Sequence, residues 1–322
     1  MRILIVGAGG VGGYFGGRLA QAGRDVTFLV RPRRAEQIEA QGLRIVSPKY
    51  GDLTIRPRAI TAAQIASPYD IIFLSVKSYD LATAIVDFAP AVGPQTVIIP
   101  VLNGMHHMDV LAEKFGKNGV LGGVCYVSTK IDSQGRIIQL ADFQSLICGE
   151  LDGKKTSRIE AVHQAFQGAG FDTAISGDIL RDMWQKWVWL ASVGAITCLL
   201  RGNIGEIAAV PGGADLSLSA FHECAAIAAA CGYPLSEPFL TEKSSQITAP
   251  SSSLTPSMYR DLKEEAPVEA DSILGDLIER GQKQAVSAPI IQAAFVSLTI
   301  YQQARARAKL PAVDIGSTAS AH

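Results

Sequence analysis

The chain has 322 residues, nearly half of them apolar, enough for a sizeable core in one large domain or two of medium size. Lys and Arg number 29 against 30 Asp and Glu, a balance that argues against a nucleic-acid or membrane-surface protein. Five scattered cysteines without a C-x-x-C pair suggest neither a disulfide framework nor a metal site, and they suit a reducing, cytoplasmic setting.

The first residues form an apolar strand, with no sign of a secretory signal. It runs into Gly7-Ala-Gly9-Gly10-Val11-Gly12, then a helical stretch to Gly23, then a second strand from Asp25 to Val30. Strand, glycine-rich turn, helix and strand follow in the order that a dinucleotide-binding βαβ unit requires. Gly7 permits the tight turn, Gly9 lets a pyrophosphate approach the backbone, and Gly12 allows helix and sheet to pack closely. The open helix N-terminus around Gly10 and Val11 offers N–H groups and a partial positive charge to phosphates.

The end of the second strand selects the cofactor. A carboxylate there would suit the ribose hydroxyls of NAD(H). This chain has Arg31, followed by Arg33 and Arg34, and a guanidinium can grip a 2′-phosphate in bidentate fashion. NADP(H) is therefore expected over NAD(H). The bland alternative is an arginine run that only solvates a loop.

Further along, residues 34–41 read as helix, and Leu43–Ser47 and Leu53–Pro57 as a hairpin around Tyr50-Gly51. Asp70–Ser75 and Thr96–Pro100 are short continuous apolar runs, the pattern of strands buried on both faces. Helical segments follow each, at 79–88 and 107–115, so the expected fold is α/β: a Rossmann-type, doubly wound sheet. Residues 119–131, 136–140 and 145–149 have strand character and could extend that sheet with antiparallel strands. A helix over 158–169 and a strand over 171–175 complete the first half. Segments 180–200, 214–231, 258–281 and 289–306 are helical in pattern, with a loop rich in Ser, Thr and Pro at 245–257. The expected organisation is a dinucleotide-binding domain over 1–177, an all-helical C-terminal domain over 178–310 and a disordered tail over 311–322. The longest apolar run, Val188 to Leu200, is too short for a membrane span. His222-Glu223 lacks the second histidine of a metalloprotease helix, and His106-His107 lacks a third ligand, so no metal is expected.

Lys77 and Asn103-Gly104 follow the strands at 70–75 and 96–100, on the edge where doubly wound sheets bind ligands. Alone, each reads as an exposed lysine or a simple turn. Lys186 lies within Met183-Trp-Gln-Lys-Trp-Val-Trp189, an unusual place for an amine. Burial disfavours the charged form and would suit such a group to proton donation, unless its aliphatic stem snorkels to the surface. Trp184 and Trp187 read as core. Ser257-Met258-x-x-Asp261 and Glu269-x-Asp271 follow, with Glu269 either facing solvent or pointing into a cleft.

Together these motifs resemble the ketopantoate reductase family: Gly7-x-Gly9-x-x-Gly12, Arg31, Ser75-Val-Lys77, Asn103-Gly104-Met105, Trp184-x-Lys186, Ser257-Met258-x-x-Asp261 and Glu269-x-Asp271 before Gly275. The resemblance implies NADPH-dependent reduction of a 2-keto acid to a 2-hydroxy acid. It makes Lys186 the general acid and has Glu269 orient that lysine, hold substrate or contact the cofactor. It makes Lys77 and Asn103 positioners of nicotinamide and substrate, and Ser257 a partner of the substrate carboxylate. The family usually carries asparagines four and eight residues after the lysine, on the same helix face; here they are Leu190 and Gly194. The expected pocket is more apolar, with extra room at Gly194, and its substrate is ketopantoate or a related branched 2-keto acid. Rival readings are an opine-type or hydroxy-acid dehydrogenase with the same cofactor and a non-catalytic NADP(H)-binding regulator. Self-association through the helical half stays open, between monomer and homodimer.

Overall fold

The computed structural model describes residues 1–309. The tail expected from residue 311 lies outside the described residues. The chain begins with β1 (Arg2–Val6), α1 (Gly10–Gln21), β2 (Asp25–Leu29) and α2 (Pro32–Gln41). Then come β3 (Leu43–Val46), β4 (Leu53–Ile55), β5 (Arg58–Ile60), β6 (Ile71–Leu74), α3 (Leu81–Phe88), β7 (Val97–Pro100) and α4 (His106–Phe115). Five of these strands form a wholly parallel sheet in the order β5-β2-β1-β6-β7, with Ile3 opposite Val26 on one side and Ile71 on the other. Ile3, Leu4, Ile5, Ile71, Ile72, Phe73, Ile98 and Ile99 are all fully buried, as expected where helices cover both faces. The short edge strand β5 carries no apolar pattern of its own, and the sequence does not announce it.

The remaining strands are β8 (Gly122–Ile131), β9 (Ile137–Gly149) and, after α5 (Ser157–Phe166), β10 (Asp172–Ile175). They correct an expectation. They do not extend the parallel sheet but build a second one with β3 and β4, in the order β10-β9-β3-β4, with β8 antiparallel to β9. Among the described residues an isolated bridge from Val120 to Ile98 links this run to the first sheet before the chain turns away. β9 is one strand, not two. Its register against β8 jumps between Val127 opposite Gln144 and Thr129 opposite Gln139, so residues 140–143 go unpaired. That bulge is the break that sequence alternation reads as a strand end.

Glu150, just beyond β9, ties the second sheet to α5. It is 4% exposed and accepts from Arg158 Nε at 2.7 Å, from Arg158 Nη2 and from Thr156 Oγ1. The Arg158 guanidinium holds its carboxyl below the usual carboxylate range. A depressed carboxyl stabilises the fold above its unfolded value, about pH 4.3, and that contribution fades as pH falls through the folded value. Glu150→Gln is therefore expected to cost about 2 kcal/mol at neutral pH. In denaturant melts the gap from the parent should close in acid; a gap unchanged below about pH 3 would contradict this.

The helices beyond are α6 (Ile179–Leu200), α7 (Ile204–Ala208), α8 (Gly213–Ala230), α9 (Glu237–Ile247), α10 (Ser257–Lys263), α11 (Asp276–Lys283) and α12 (Pro289–Lys309). The single helix expected over 258–281 is broken. Glu265 takes a left-handed φ of 54°, Ala266 N–H returns to Asp261 O, and Pro267 follows. This is a helix stop, and the pre-proline residue disfavours helical continuation. One π-helical turn, Asp271–Gly275, then leads into α11. The helix α9 was not expected; it runs three residues into the anticipated loop, which narrows to 248–256. Glu223, in the metalloprotease-like string, serves the fold instead. Its carboxylate accepts from the N–H groups of Ile290 and Ile291 in the first turn of α12.

The chain divides into two compact units, Met1–Leu190 with Ala228–Leu235, and Ala191–Ile227 with the chain from Ser236 onward. β-Structure ends at Ile175, near the boundary expected at 177, yet the first unit also keeps the start of α6. Trp184 stacks on Tyr233 at 5.3 Å and packs on Trp187 at 4.8 Å, and Arg181 Nη1 donates to Pro234 O at 2.7 Å. Both tryptophans are buried, as core residues should be.

Candidate active site

The glycine loop is built as the sequence requires. Gly7 turns with φ +93° and donates its N–H to Leu29 O at 3.0 Å. Ser75, at the end of β6, donates its Oγ hydrogen to Val6 O at 3.1 Å and lies 3.2 Å from Gly7 O. A Cβ at Gly12 would lie 2.0 Å from Ser75 Oγ and 2.2 Å from Gly7 O, so only glycine fits there. A Cβ at Gly9 would meet nothing within 4 Å. The first intrahelical bond of α1 runs from Gly13 N to Gly9 O, so the amides of Gly10, Val11 and Gly12 lie in the open first turn. Open space over Gly9, beside a helix N-terminus, is the cradle a pyrophosphate fits.

At the end of β2, the side chain of Arg31 is 69% exposed and its Nη2 lies 2.5 Å from Asp80 Oδ1. Arg33 is exposed. Arg34 separates from them: half-buried, it donates to Gln37 Oε1 at 2.6 Å and Gly135 O at 3.1 Å, under the β8–β9 turn. Burial lowers its pKa from the ordinary arginine value. Of the run of three arginines, one therefore serves packing.

Past β6 and β7 the first unit carries a cavity lined by Leu102, Asn103, Gly104, Gly123, Val124, Met183, Lys186, Trp187 and Leu190. β7 brings Asn103, Gly104 turns with φ +84°, and α6 brings Lys186 and, one turn later, Leu190. Lys186 is half-buried, and its Nζ lies 3.9 Å from Cys125 Sγ of β8. The buried Cys125 thiol in turn lies 3.8 Å from Val101 O. Lys77 is half-buried after β6, and its C=O accepts from Asp80 N–H at 2.9 Å. Sequence reasoning missed Cys125 and Asp80. Nothing in the local pattern points to a cysteine on a strand 61 residues before the lysine.

Three sequence-predicted residues belong to the second unit. Gly194 is buried, and a Cβ there would lie 2.7 Å from Met258 Cε. The extra room expected at Gly194 is therefore filled: the methionine methyl packs where a side chain would be. Ser257 opens α10 and is half-buried. Glu269 is 4% exposed, which overturns the solvent-facing alternative, and its C=O accepts from Ile273 N–H at 3.0 Å. Among the described residues no helix is long and apolar enough to cross a membrane, and no group of three His, Cys, Asp or Glu could hold a metal.

Comparisons with known proteins agree with this architecture. The profile for ketopantoate reductase PanE/ApbA matches residues 3–153, and that for its C-terminal part matches 178–302. An uncharacterized oxidoreductase of Bacillus subtilis, YkpB, is 36% identical over 94% of this chain and 99% of its own length. The crystal structure of 2-dehydropantoate 2-reductase from Geobacter metallireducens is 28% identical and superposes with a TM-score of 0.85, covering 94% of this chain and all of that one. A D-mandelate dehydrogenase with NADH and anilino(oxo)acetate also superposes with a TM-score of 0.85, over 95% of this chain and 99% of its own. At 20% identity, that likeness shows the fold alone.

Proposed function

The chain belongs to the ketopantoate reductase family, and on that premise we propose that it reduces a 2-keto acid to the corresponding 2-hydroxy acid with NADPH. The observation that carries this reading is the position of Lys186, which lines one cavity with Asn103 and Gly104 of the loop after β7. That loop lies at the carboxyl end of a parallel strand, where this architecture binds ligands.

Gly7, Gly9, Gly10, Val11 and Gly12 would hold the pyrophosphate, Arg31 would reach the 2′-phosphate, and Lys77 and Asn103 would position the nicotinamide and the substrate. A bound nicotinamide would supply the hydride for the substrate's carbonyl carbon. Lys186 steadies the negative charge growing on the carbonyl oxygen and donates its proton there, and solvent restores the proton to the amine. The roles given to Ser257 and Glu269, holding the substrate carboxylate and serving the lysine or cofactor, rest on the family resemblance.

Leu190, where the family resemblance implies an asparagine, favours a branched 2-keto acid with few polar groups beyond its carbonyl and carboxylate. NADPH consumption by the purified protein against ketopantoate and a panel of branched 2-keto acids tests the reading. Tight NADPH binding with no turnover across the panel would refute it. In the same assay, Leu190→Asn is expected to shift preference toward hydroxyl-bearing ketopantoate over its deoxy counterpart by about tenfold in kcat/KM, because an added amide can pair with the hydroxyl.

A further inference from the structure

Asp80 sits where an aspartate normally caps a helix. It is the N-cap residue of α3, yet its carboxylate accepts no capping bond from that helix. It turns instead to Arg31, with Nη2 and Oδ1 2.5 Å apart. The two residues follow β2 and β6, the strands that flank β1 on either side. The ion pair therefore crosses the carboxyl end of β1, beside the glycine loop. Its arginine is 69% exposed and its aspartate 33% exposed, so the pair is not a buried strut of the fold.

We propose that Asp80 sets cofactor selectivity by holding Arg31 in an ion pair that a 2′-phosphate must displace. The proposal rests on the dinucleotide-binding reading above. A phosphate that takes the Nη2 fork of Arg31 comes to lie beside a carboxylate of the same sign, and so meets a repulsion that a 2′-hydroxyl does not. A ribose hydroxyl can leave the pair intact or donate to Asp80. Asp80 thus narrows the advantage that Arg31 gives to NADP(H) over NAD(H). An arginine after β2 alone would overstate this chain's selectivity.

Calorimetric titration of the purified chain with 2′,5′-ADP and with 5′-ADP tests this without turnover. Asp80→Asn keeps the side chain's shape and removes its charge. It is expected to tighten 2′,5′-ADP binding about tenfold, with the gain shrinking at high salt, and to leave 5′-ADP within about twofold. In an Arg31→Ala background the gain should be smaller, since no ion pair remains to be displaced and only the carboxylate's repulsion of the phosphate is relieved. Unchanged or weaker 2′,5′-ADP binding by Asp80→Asn would overturn the proposal, because Asp80 would then be orienting Arg31 for the phosphate. Failure of every variant, parent included, to bind either nucleotide would instead overturn the dinucleotide reading, and this proposal with it. A thermal melt of each variant separates a lost fold from lost binding.

Discussion

Replacing Lys186 with Met is expected to lower turnover by about three orders of magnitude, within the range that a positioned general acid supplies, while nicotinamide-nucleotide binding stays within about twofold. Met is the informative choice. Lys186 shares its cavity with Met183, Trp187 and Leu190, so a long apolar side chain keeps the contacts of the lysine stem and loses only the amine. The variant should melt at or above the parent's temperature, because a charged group leaves a half-buried site. Lys186→Arg should rescue little: guanidinium keeps the charge but holds its protons too tightly to serve as an acid. Single-turnover rates with saturating NADPH, beside a fluorescence titration of the nucleotide, separate chemistry from binding. Full turnover by the Met variant would remove the proposed acid.

What the sequence makes legible is local. The apolar runs at 70–75 and 96–100 say that those strands are buried on both faces, and they are. The glycine spacing announces a βαβ turn, and Ser75 explains why the third glycine is needed. The destination of a strand is less visible. Residues 122–149 alternate like any antiparallel pair, and alternation does not say which sheet will receive them; long-range pairing with β3 decides it. The helix break after Lys263 is readable from Ala266-Pro267 only if the proline outweighs the apolar period around it. Within the site, Asn103, Lys186 and Leu190 could be gathered from sequence because each follows a strand or rides one helix face. The contacts of Asp80 and Cys125 could not, because each is made with a residue distant in the chain.

The glycine loop allows a sharper separation of folding from binding. Gly9→Ala is expected to leave the melting temperature unchanged, since the new methyl meets nothing within 4 Å and the backbone there, φ −81° and ψ −165°, suits alanine. It should nevertheless weaken nucleotide binding by about a hundredfold, because the methyl occupies the space through which a pyrophosphate reaches the first-turn amides. Gly12→Ala should lose both. Its methyl would fall 2.2 Å from Gly7 O, a backbone atom that cannot rotate away, so the loop itself must shift at a cost of about 1–3 kcal/mol or more. Removing the other obstacle, in Gly12→Ala with Ser75→Ala, should not restore binding, because the Gly7 carbonyl remains. Normal nucleotide affinity in Gly9→Ala would mean that the phosphates do not approach this loop. A methyl at residue 9 tests the space a ligand would need, whereas one pressed between Ser75 and Gly7 tests the fold, and these two substitutions tell the cases apart.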